Sequence, residues 1–231
     1  MRLDQALKAQ GFFSSREKAQ AAIKAGDVKL DGTPVLKPAF PYHGETITTT
    51  GNPPYVSRSA EKLKGALEAF GMRFEGDVIC DIGASTGGFT QVALEYGAQH
   101  VIAIDVGRDQ LDQALRKHPQ VRVLEETHFL HLTELAPIDW ALIDVSFISS
   151  LKILRHLLTL TTFKGVLVLF KPQFEANRKL KSPIIKAPKE YARIQSQYEE
   201  TLQALGYTIQ HIFTPIKGKL GNQELLYYLT V

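Results

Sequence analysis

The sequence predicts an α/β protein in which a parallel sheet, covered by helices on both faces, follows a small N-terminal α+β domain. From about residue 77 onward, short apolar segments alternate with longer amphipathic segments, as strands and helices do around a parallel sheet. A stretch rich in Pro, Gly and Thr ends at Pro53 and Pro54 and is typical of a linker. The length of 231 residues leaves room for one medium-sized domain and one small one.

The composition is that of a folded protein without membrane spans. Hydrophobic residues make up 44% of the chain and charged residues 22%, and both fractions are near the averages of globular domains. The longest apolar runs are far shorter than the roughly 18 to 20 residues of a membrane helix. Asp4 stands where a signal peptide would begin its apolar core. The single cysteine, Cys80, excludes an internal disulfide and a thiolate zinc cluster, so we expect a cytoplasmic protein.

The net charge of +3 is unevenly distributed along the chain. Residues 1 to 60 contain 8 Lys and Arg against 5 Asp and Glu, whereas residues 61 to 231 contain 19 of each kind. A second basic segment, residues 171 to 193, holds seven Lys and Arg but only two Glu. Two basic segments on a neutral body predict a polyanionic partner, although ordinary solvated surface charge would give the same count.

Two short helices are predicted at the N-terminus. The apolar face from Leu3 to Leu7 predicts the first helix, which ends at Gly11. Ser14 and Glu17 have the spacing of a capping box and predict the start of the second helix. The polar face of that helix carries Arg16, Gln20 and Lys24.

A hairpin and then a linker follow these helices. Residues 28 to 30 and 33 to 35 flank Asp31-Gly32, a pair that favours a tight turn, and residues 38 to 54 predict one or two further strands and the linker. Segments 2–4, 15–19 and 26–32 together resemble the S4 RNA-binding domain, over about residues 1 to 50. The resemblance implies RNA contacts through the matching basic residues Arg2, Arg16, Lys18 and Lys24. A small helical adaptor docked on the main domain is the alternative interpretation.

The first strand of the main domain leads into a nucleotide-type site. Residues 78 to 82 form an apolar strand that enters a glycine-rich turn, residues 83 to 88, and a helix over residues 89 to 96. The next strand, residues 101 to 104, ends at Asp105, which lies 24 residues after Asp81. An acid at that position can accept hydrogen bonds from both ribose hydroxyls of an adenosine.

The glycine turn favours S-adenosylmethionine over a dinucleotide. A dinucleotide site needs the pattern G-x-G-x-x-G, and here Gly83 is followed by Ala84 and Ser85, so the second glycine is missing. The carboxylate of Asp81 would repel a pyrophosphate but suits the ammonium and sulfonium groups of S-adenosylmethionine. Taken alone, the turn could still be a tight turn without a ligand.

Later strands bring more polar residues to the same sheet edge. Strands are predicted over residues 121–124, 140–144 and 166–171, followed by a helix over about 188–205 and strands over 207–212 and 224–229. Asp144 and Lys171 end two of these strands, so both are expected at the cofactor crevice.

Four motifs in order resemble the TlyA family, whose members join an S4 domain to an FtsJ-like methyltransferase and are often labelled hemolysins. The motifs cover residues 81–90, 144–149, 171–175 and 221–224, and the resemblance spans essentially the whole chain. The resemblance implies an S4-like domain and linker over 1–54 and an FtsJ-like methyltransferase domain with a Rossmann-like fold over 55–231. It also implies the activity, which is 2′-O-methylation of a ribose with S-adenosylmethionine as the methyl donor. The substrate would be ribosomal RNA or a ribosomal subunit. The implied catalytic tetrad is Lys62, Asp144, Lys171 and Glu224. The implied cofactor-binding residues are Asp81, Gly83, Ser85, Gly87, Phe89, Asp105 and Asp144.

The chemistry of the reaction gives such a tetrad a purpose. A ribose 2′-hydroxyl is a weak nucleophile that must lose its proton as it attacks the methyl carbon. Lys171 can act as the base or stay charged and stabilise the developing alkoxide, and sequence alone leaves both roles open. Lys62 would position the substrate, while Asp144 and Glu224 would orient the two lysines.

Three departures from the family pattern border the site. Ser59-Ala60 replaces two glycines, residues 179–183 lack a glycine-rich stretch, and His128 stands where relatives commonly have asparagine. His128 and His131 are not joined by further ligand types, so no metal site is expected.

Rival functions remain open. A noncatalytic RNA- or ribosome-binding protein could keep this fold, although no tetrad residue is lost. A pore-forming hemolysin lacks sequence support, and a cofactor-free pseudouridine synthase would leave the glycine turn and Asp105 without a task.

Overall fold

The computed structural model describes residues 1–10, 12–13, 15–49, 55–176, 182–218 and 221–230. The chain divides into two compact units, Met1–Tyr55 and Val56–Val231.

The N-terminal unit packs two helices on a three-stranded sheet. Its elements are α1 (Leu3–Ala9), α2 (Arg16–Ala25), β1 (Val28–Leu30), β2 (Thr33–Pro34) and β3 (Ile47–Thr49). The strand order is β2-β1-β3, and both pairs are antiparallel. The predicted hairpin turn is confirmed, because Asp31 and Gly32 have φ of 45° and 82°, as a tight two-residue turn requires.

The start of α2 differs from the prediction by one residue. Ser15 has extended backbone angles, and its hydroxyl accepts a hydrogen bond from the Lys18 amide at 3.2 Å, so Ser15 is the N-cap. The predicted cap, Ser14, and the predicted end of α1, Gly11, lie outside the described residues. Gly26 ends the helix with φ of 84°.

The C-terminal unit follows the predicted alternation of strands and helices. Its first half contains α3 (Ser59–Phe70), β4 (Val78–Ile82), α4 (Gly88–Glu95), β5 (His100–Ile104), α5 (Gln113–Arg116), β6 (Val121–Leu124) and a 3₁₀ turn (Phe129–His131). Its second half contains β7 (Trp140–Ile143), α6 (Ser150–Leu160), β8 (Gly165–Phe170), α7 (Pro172–Glu175), α8 (Pro188–Ala204), β9 (Thr208–Phe213) and β10 (Leu225–Thr230).

These strands form one sheet in the order β6-β5-β4-β7-β8-β10-β9. The pairs among β4 to β8 are parallel, whereas β10 is antiparallel to both of its neighbours, β8 and β9. The predicted parallel sheet is thus confirmed for β4 to β8, and β10 enters it in the opposite direction. A dinucleotide-binding sheet has the order 3-2-1-4-5-6, so the inserted antiparallel strand also separates this fold from that class.

The strand order reverses at β4, between β5 and β7, where open α/β sheets bind their ligands. The predicted strands all exist, but β7 and β8 end one residue earlier than predicted and β10 begins one residue later. Asp144, Lys171 and Glu224 consequently lie just outside the ladder, where their side chains are free to face a site. Among the described residues, no helix has the length and apolarity needed to cross a membrane.

Candidate active site

A cavity of about 350 Å³ opens at the carboxyl ends of β4, β5 and β7. Its polar lining includes Gly83, Ser85, Asp105, Gln110, Thr127, His128, Asp144 and Ser146, and its apolar lining includes Val106, Phe129 and Ile153. Four of the seven predicted cofactor residues therefore lie in the lining of one cavity: Gly83, Ser85, Asp105 and Asp144.

Gly83 brings the turn after β4 close to the end of β7. Its φ is 86°, and an added Cβ would lie 2.8 Å from the carbonyl oxygen of Asp144. A side chain at this position would therefore push the two strand ends apart. Glycine therefore allows the ends of β4 and β7 to lie close together and leaves the backbone of the turn accessible to a ligand.

Gly87 and Phe89 lie outside the described cavity lining, although the resemblance implied cofactor contacts for both. A Cβ on Gly87 would lie 2.4 Å from the Leu115 side chain, so this glycine serves the packing of the turn. Phe89 is 2% exposed and packs inside the unit from the first turn of α4. Both residues therefore contribute to the packing around the glycine turn.

Asp81 is fully buried and is also outside the described cavity lining. Its Oδ2 accepts a hydrogen bond from the Thr90 hydroxyl at 2.6 Å, while its Oδ1 is buried with no hydrogen-bond partner in the described part of the chain. Burial raises the pKa of the Asp81 carboxyl to about 7, and the nearby charges of Asp144 and Asp105 add to this rise. Three mutually repelling carboxylates at one sheet edge fit a cationic ligand and oppose an anionic one.

Asp105 is held in place from both sides. The Ser85 amide donates to its Oδ2 at 2.8 Å, and the Gly107 amide donates to its Oδ1 at 2.7 Å. A carboxylate oxygen can accept more than one hydrogen bond, so both oxygens keep the capacity to accept a ribose hydroxyl. The prediction for Asp105 is therefore compatible with the geometry.

Lys171 lies at the end of β8, 9% exposed. Its Nζ lies 2.6 Å from Asp144 Oδ1, outside the direction of a hydrogen bond, and donates to the Val145 carbonyl and the Ser146 hydroxyl at 3.0 Å each. Three oxygens thus surround the amine. This environment suits a positively charged ammonium, which has three hydrogens to donate.

Lys62 and Glu224 form the second pair of the predicted tetrad. Lys62 is in the first turn of α3, and its Nζ donates to Glu224 Oε2 at 2.5 Å. Both side chains are buried, with 9% and 3% of their areas exposed, so Lys62 is not an ordinary surface lysine. An ion pair that is buried to this extent needs close geometry to repay its desolvation.

The sheet register brings the two pairs to the same edge. Leu225 pairs with Phe170 across the antiparallel β10–β8 ladder, so the next residues beyond the ladder are Glu224 and Lys171. Ile143 pairs with Val168 on the other side of β8, which places Asp144 beside the end of the same strand. All four tetrad residues therefore belong to one constellation, although the sequence motifs are far apart.

Two of the four basic residues predicted for RNA binding, Arg2 and Arg16, are arranged around one buried acid. Asp4 is fully buried and accepts from Arg2 Nε at 2.9 Å, from Arg16 Nη2 at 3.0 Å and from Gln20 Nε2 at 2.6 Å. The two arginine side chains remain 46% and 42% exposed, so their free N–H groups can reach a ligand. Lys18 and Lys24 lie on the same helix, α2, and Lys24 is exposed.

Comparison with known proteins matches both units to families. The FtsJ-like methyltransferase family model matches residues 55–230, and the S4 domain model matches residues 1–47. The chain is 39% identical over 238 residues to the 16S/23S rRNA (cytidine-2′-O)-methyltransferase TlyA of Mycobacterium tuberculosis, covering 99% of this chain and 89% of that protein. The chain belongs to the TlyA family.

Other TlyA relatives carry different names. Hemolysin A of Brachyspira hyodysenteriae is 35% identical over 240 residues, which cover 100% of both chains. A solved structure from Streptococcus thermophilus, named as a suspected hemolysin, is 35% identical with a TM-score of 0.77 and covers 100% of this chain and 88% of its own. The family resemblance and the fold class predicted from the sequence are therefore confirmed.

Several residues of this TlyA site had no individual signal in the sequence. Phe147 is 93% exposed at the cavity rim, has φ of 67°, and its ring lies 5.4 Å from that of Phe174. Glu175 accepts hydrogen bonds from the Ser149 hydroxyl and from the amide and hydroxyl of Ser150, so it ties α7 to the start of α6. Burial raises the pKa of the Glu175 carboxyl. Motifs 144–149 and 171–175 contain these residues, but only the structure shows what each contacts.

His128 lies in the cavity lining, and its ring stacks on that of His131 with centroids 4.4 Å apart. Among the described residues, no group of three His, Cys, Asp or Glu side chains could hold a metal ion. His128 thus belongs to the part of the cavity that also contains Thr127 and Phe129.

Proposed function

We propose that this chain transfers a methyl group from S-adenosylmethionine to a ribose 2′-hydroxyl of ribosomal RNA. The observation that carries the proposal is the pair of lysine–carboxylate contacts, Lys171 with Asp144 and Lys62 with Glu224, at the sheet edge beside the cavity. The names of TlyA relatives indicate cytidine as the target nucleoside. An rRNA substrate would place the protein's activity in the cytoplasm.

The chain's own residues fit this cofactor. Asp105 would accept the ribose hydroxyls, and the carboxylates of Asp81 and Asp144 would offset the positive charges. The unpartnered Oδ1 of Asp81 is a buried acceptor of the kind that a cationic donor would satisfy. When bound, S-adenosylmethionine supplies an electrophilic methyl group on its sulfonium.

Lys171 would act at the attacking oxygen. Two oxygens accept hydrogen bonds from its amine, and Asp144 Oδ1 lies 2.6 Å away. As an ammonium, Lys171 would stabilise the developing alkoxide, and as an amine it would take the proton of the 2′-hydroxyl. Asp144 holds the ammonium in place, and Lys62, held by Glu224, would position the ribose or its phosphate. The exposed ring of Phe147, which lies beside the ring of Phe174, offers a face on which an unstacked base can lie.

RNA selection would begin at the N-terminal unit. Arg2 and Arg16 share one buried carboxylate, which fixes their positions while leaving both side chains half-exposed. Guanidinium groups held in this way suit RNA phosphates.

Mapping of ribose methylation on ribosomal RNA tests the function directly. Matched strains with the gene, without it, and with a Lys171→Ala copy are compared nucleotide by nucleotide. We expect at least one 2′-O-methyl group that is present with the wild-type copy alone. Identical maps from all three strains would refute the proposed function.

A further inference from the structure

Glu175 is a buried carboxylate that no step of the proposed reaction uses. It is the last residue of α7, is 7% exposed, and lies four positions after Lys171. Its Oε2 accepts from the Ser149 hydroxyl at 2.5 Å, and its Oε1 accepts from the amide and the hydroxyl of Ser150 at 2.8 Å each. Three donors therefore hold the carboxylate against the start of α6.

The hydrogen bonds around Glu175 continue into α8. The Ser150 hydroxyl donates to Glu175, so its oxygen is free to accept from the Tyr198 hydroxyl, which lies 2.7 Å away. Ser150 and Tyr198 are each 1% exposed, so these contacts are shielded from water. Buried networks in which every member is satisfied are rigid. The position of the Glu175 carboxylate is therefore fixed from α6 and, through Ser150, from α8.

The segment that Glu175 binds is the one that surrounds Lys171. Residues 144–150 contact residues 171–175 at three places, which follow the same order along both segments. The contacts join Lys171 to residues 144–146, Phe174 to Phe147, and Glu175 to Ser149 and Ser150. Residues 144–146 supply the three oxygens around Lys171 Nζ, and they are therefore held at one end by Lys171 and downstream by Glu175.

The backbone between these two contacts is in an unfavourable conformation. Phe147 has φ of 67°, in the left-handed region that bulky residues rarely adopt. Such a conformation persists only when surrounding contacts hold it in place. The bond from Ser149 to Glu175 is two residues downstream of Phe147. Without this bond the segment could relax, and residues 144–146 would shift relative to Lys171.

We propose that Glu175 is a positioning residue for methyl transfer, whose carboxylate holds residues 144–150 so that their oxygens orient the Lys171 amine. This inference rests on the proposed function. Glu175 acts through the segment and does not touch the substrate. A displacement of about 1 Å in the groups that align a reaction can lower its rate by about a hundredfold, so even a small relaxation of the segment matters.

Asp77 provides a matched control. It is also a buried carboxylate, 9% exposed, and it accepts from Trp140 Nε1 at 2.8 Å and from Lys164 Nζ at 2.5 Å. It directly precedes β4, whereas the cavity is at the other end of that strand. Asp77→Asn therefore removes a buried, hydrogen-bonded charge far from Lys171.

The test measures thermal unfolding and single-turnover methyl transfer to ribosomal RNA, at saturating S-adenosylmethionine and RNA and below the melting temperature of every variant. Glu175→Gln should lower the transfer rate about tenfold, the scale of one hydrogen bond to a charged group. Ser149→Ala removes one donor and keeps the Glu175 charge, and it should slow transfer in the same direction. Asp77→Asn should lower the melting temperature but transfer at the wild-type rate, because lost stability alone does not slow a folded enzyme.

A double variant shows whether Glu175 acts through Lys171. In Lys171→Ala the amine that the segment orients is gone, so adding Glu175→Gln should lower the remaining rate by less than about twofold. A wild-type rate in Glu175→Gln, or a full tenfold further loss in the double variant, would overturn the inference and leave the proposed function intact. If Glu175→Gln does not fold, Ser149→Ala decides, and a wild-type rate in that variant would overturn the inference. Absence of transfer by the wild-type protein would instead refute the proposed function and the inference with it.

Discussion

Lys171 is surrounded by oxygens at distances of 2.6 to 3.0 Å, and this determines what its replacement should do. Lys171→Ala should lower methyl transfer about a hundredfold or more, because help to a developing alkoxide is worth that scale. Lys171→Arg should not restore the rate, because the larger planar group displaces the hydroxyl from in-line attack. Single-turnover transfer of labelled methyl to ribosomal RNA measures both effects.

The control for Lys171 is Lys152→Ala, which removes an exposed lysine from α6. It should leave the transfer rate unchanged. Cofactor affinity, measured on all three variants by calorimetry, should stay near the wild-type value. Near-normal transfer by Lys171→Ala would contradict any catalytic role for Lys171. Full activity of Lys171→Arg would support electrostatic stabilisation of the alkoxide and would exclude Lys171 as the base that takes the proton.

Asp81 predicts an unusual pH dependence of stability and cofactor binding. An acid with a folded pKa of about 7, above its unfolded value, binds its proton more readily in the folded protein. Its contribution therefore lowers stability progressively as pH rises from about 4 to about 7, and the full loss persists above pH 7. The melting temperature gained on adding S-adenosylmethionine should correspondingly increase as pH rises from about 6 to about 8, because the cation favours the ionised carboxylate.

Asp81→Asn isolates this effect, since the amide oxygen can still accept from Thr90. The variant without ligand should be more stable than wild type at about pH 8, and its cofactor-induced shift should be small and independent of pH across this window. Differential scanning fluorimetry at several pH values gives both quantities. If the cofactor-induced increase in melting temperature depended on pH equally in the variant and in wild type, Asp81 would not interact with the cofactor.

At the scale of elements, the turn from β4 to α4 depends on a glycine for two separate reasons. Gly83 has φ of 86°, and its Cβ position lies 2.8 Å from the Asp144 carbonyl, whereas Gly76 has φ of 76° with nothing within 4 Å. Gly76→Ala should cost about 1 to 2 kcal/mol of unfolding free energy from backbone strain alone. Gly83→Ala should cost clearly more and should also weaken cofactor binding, because the ends of β4 and β7 must separate.

Urea unfolding and calorimetry on both alanine variants test this comparison. Equal losses of stability in the two variants, with unchanged cofactor affinity, would show that the strand ends tolerate a methyl group between them.

The elements also show where sequence reasoning succeeds and where it stops. Apolar runs bounded by turns identify strands well, so the ends of β4, β7 and β8, with Asp144 and Lys171, could be predicted to within one residue from the sequence alone. Glu224 required the family resemblance, because no local pattern shows that β10 inserts antiparallel beside β8. Gly87 and Phe89 belong to the same motif as Gly83, but only the structure shows that they are outside the described cavity lining. Phe147 has no periodic signal, since its place at the cavity rim depends on a contact with Phe174 in a distant segment.

At the scale of the whole molecule, RNA affinity should depend on the fixed positions of the arginine side chains as well as on the net charge. Arg16→Ala should weaken RNA binding and flatten the logarithmic salt dependence by up to about one unit, because one phosphate contact is lost. Asp4→Asn raises the net charge by one, so a count of charges predicts tighter binding. We expect weaker binding instead, because Arg2 and Arg16 lose the carboxylate that fixes them.

Glu17→Gln is the matched control for Asp4→Asn, since it removes one exposed negative charge from the same helix, α2. It should bind RNA at least as tightly as wild type. Fluorescence anisotropy with an rRNA fragment over a series of salt concentrations measures all three variants. Tighter RNA binding by Asp4→Asn would mean that RNA affinity depends on the net positive charge and not on the fixed positions of Arg2 and Arg16.

The contact between Lys62 and Glu224 joins residues that are 162 positions apart in the chain. Closing so long a loop is slow, and the ladder that presents Glu224 has to form first. We therefore expect the constellation to assemble late in folding, after the local turn around Gly83 and the neighbouring β4–β5 pair have formed. A partly folded chain could bind a nucleoside before it could transfer a methyl group. Recovery of methyl transfer during refolding would therefore measure formation of the native β8–β10 pairing and not the initial collapse of the chain.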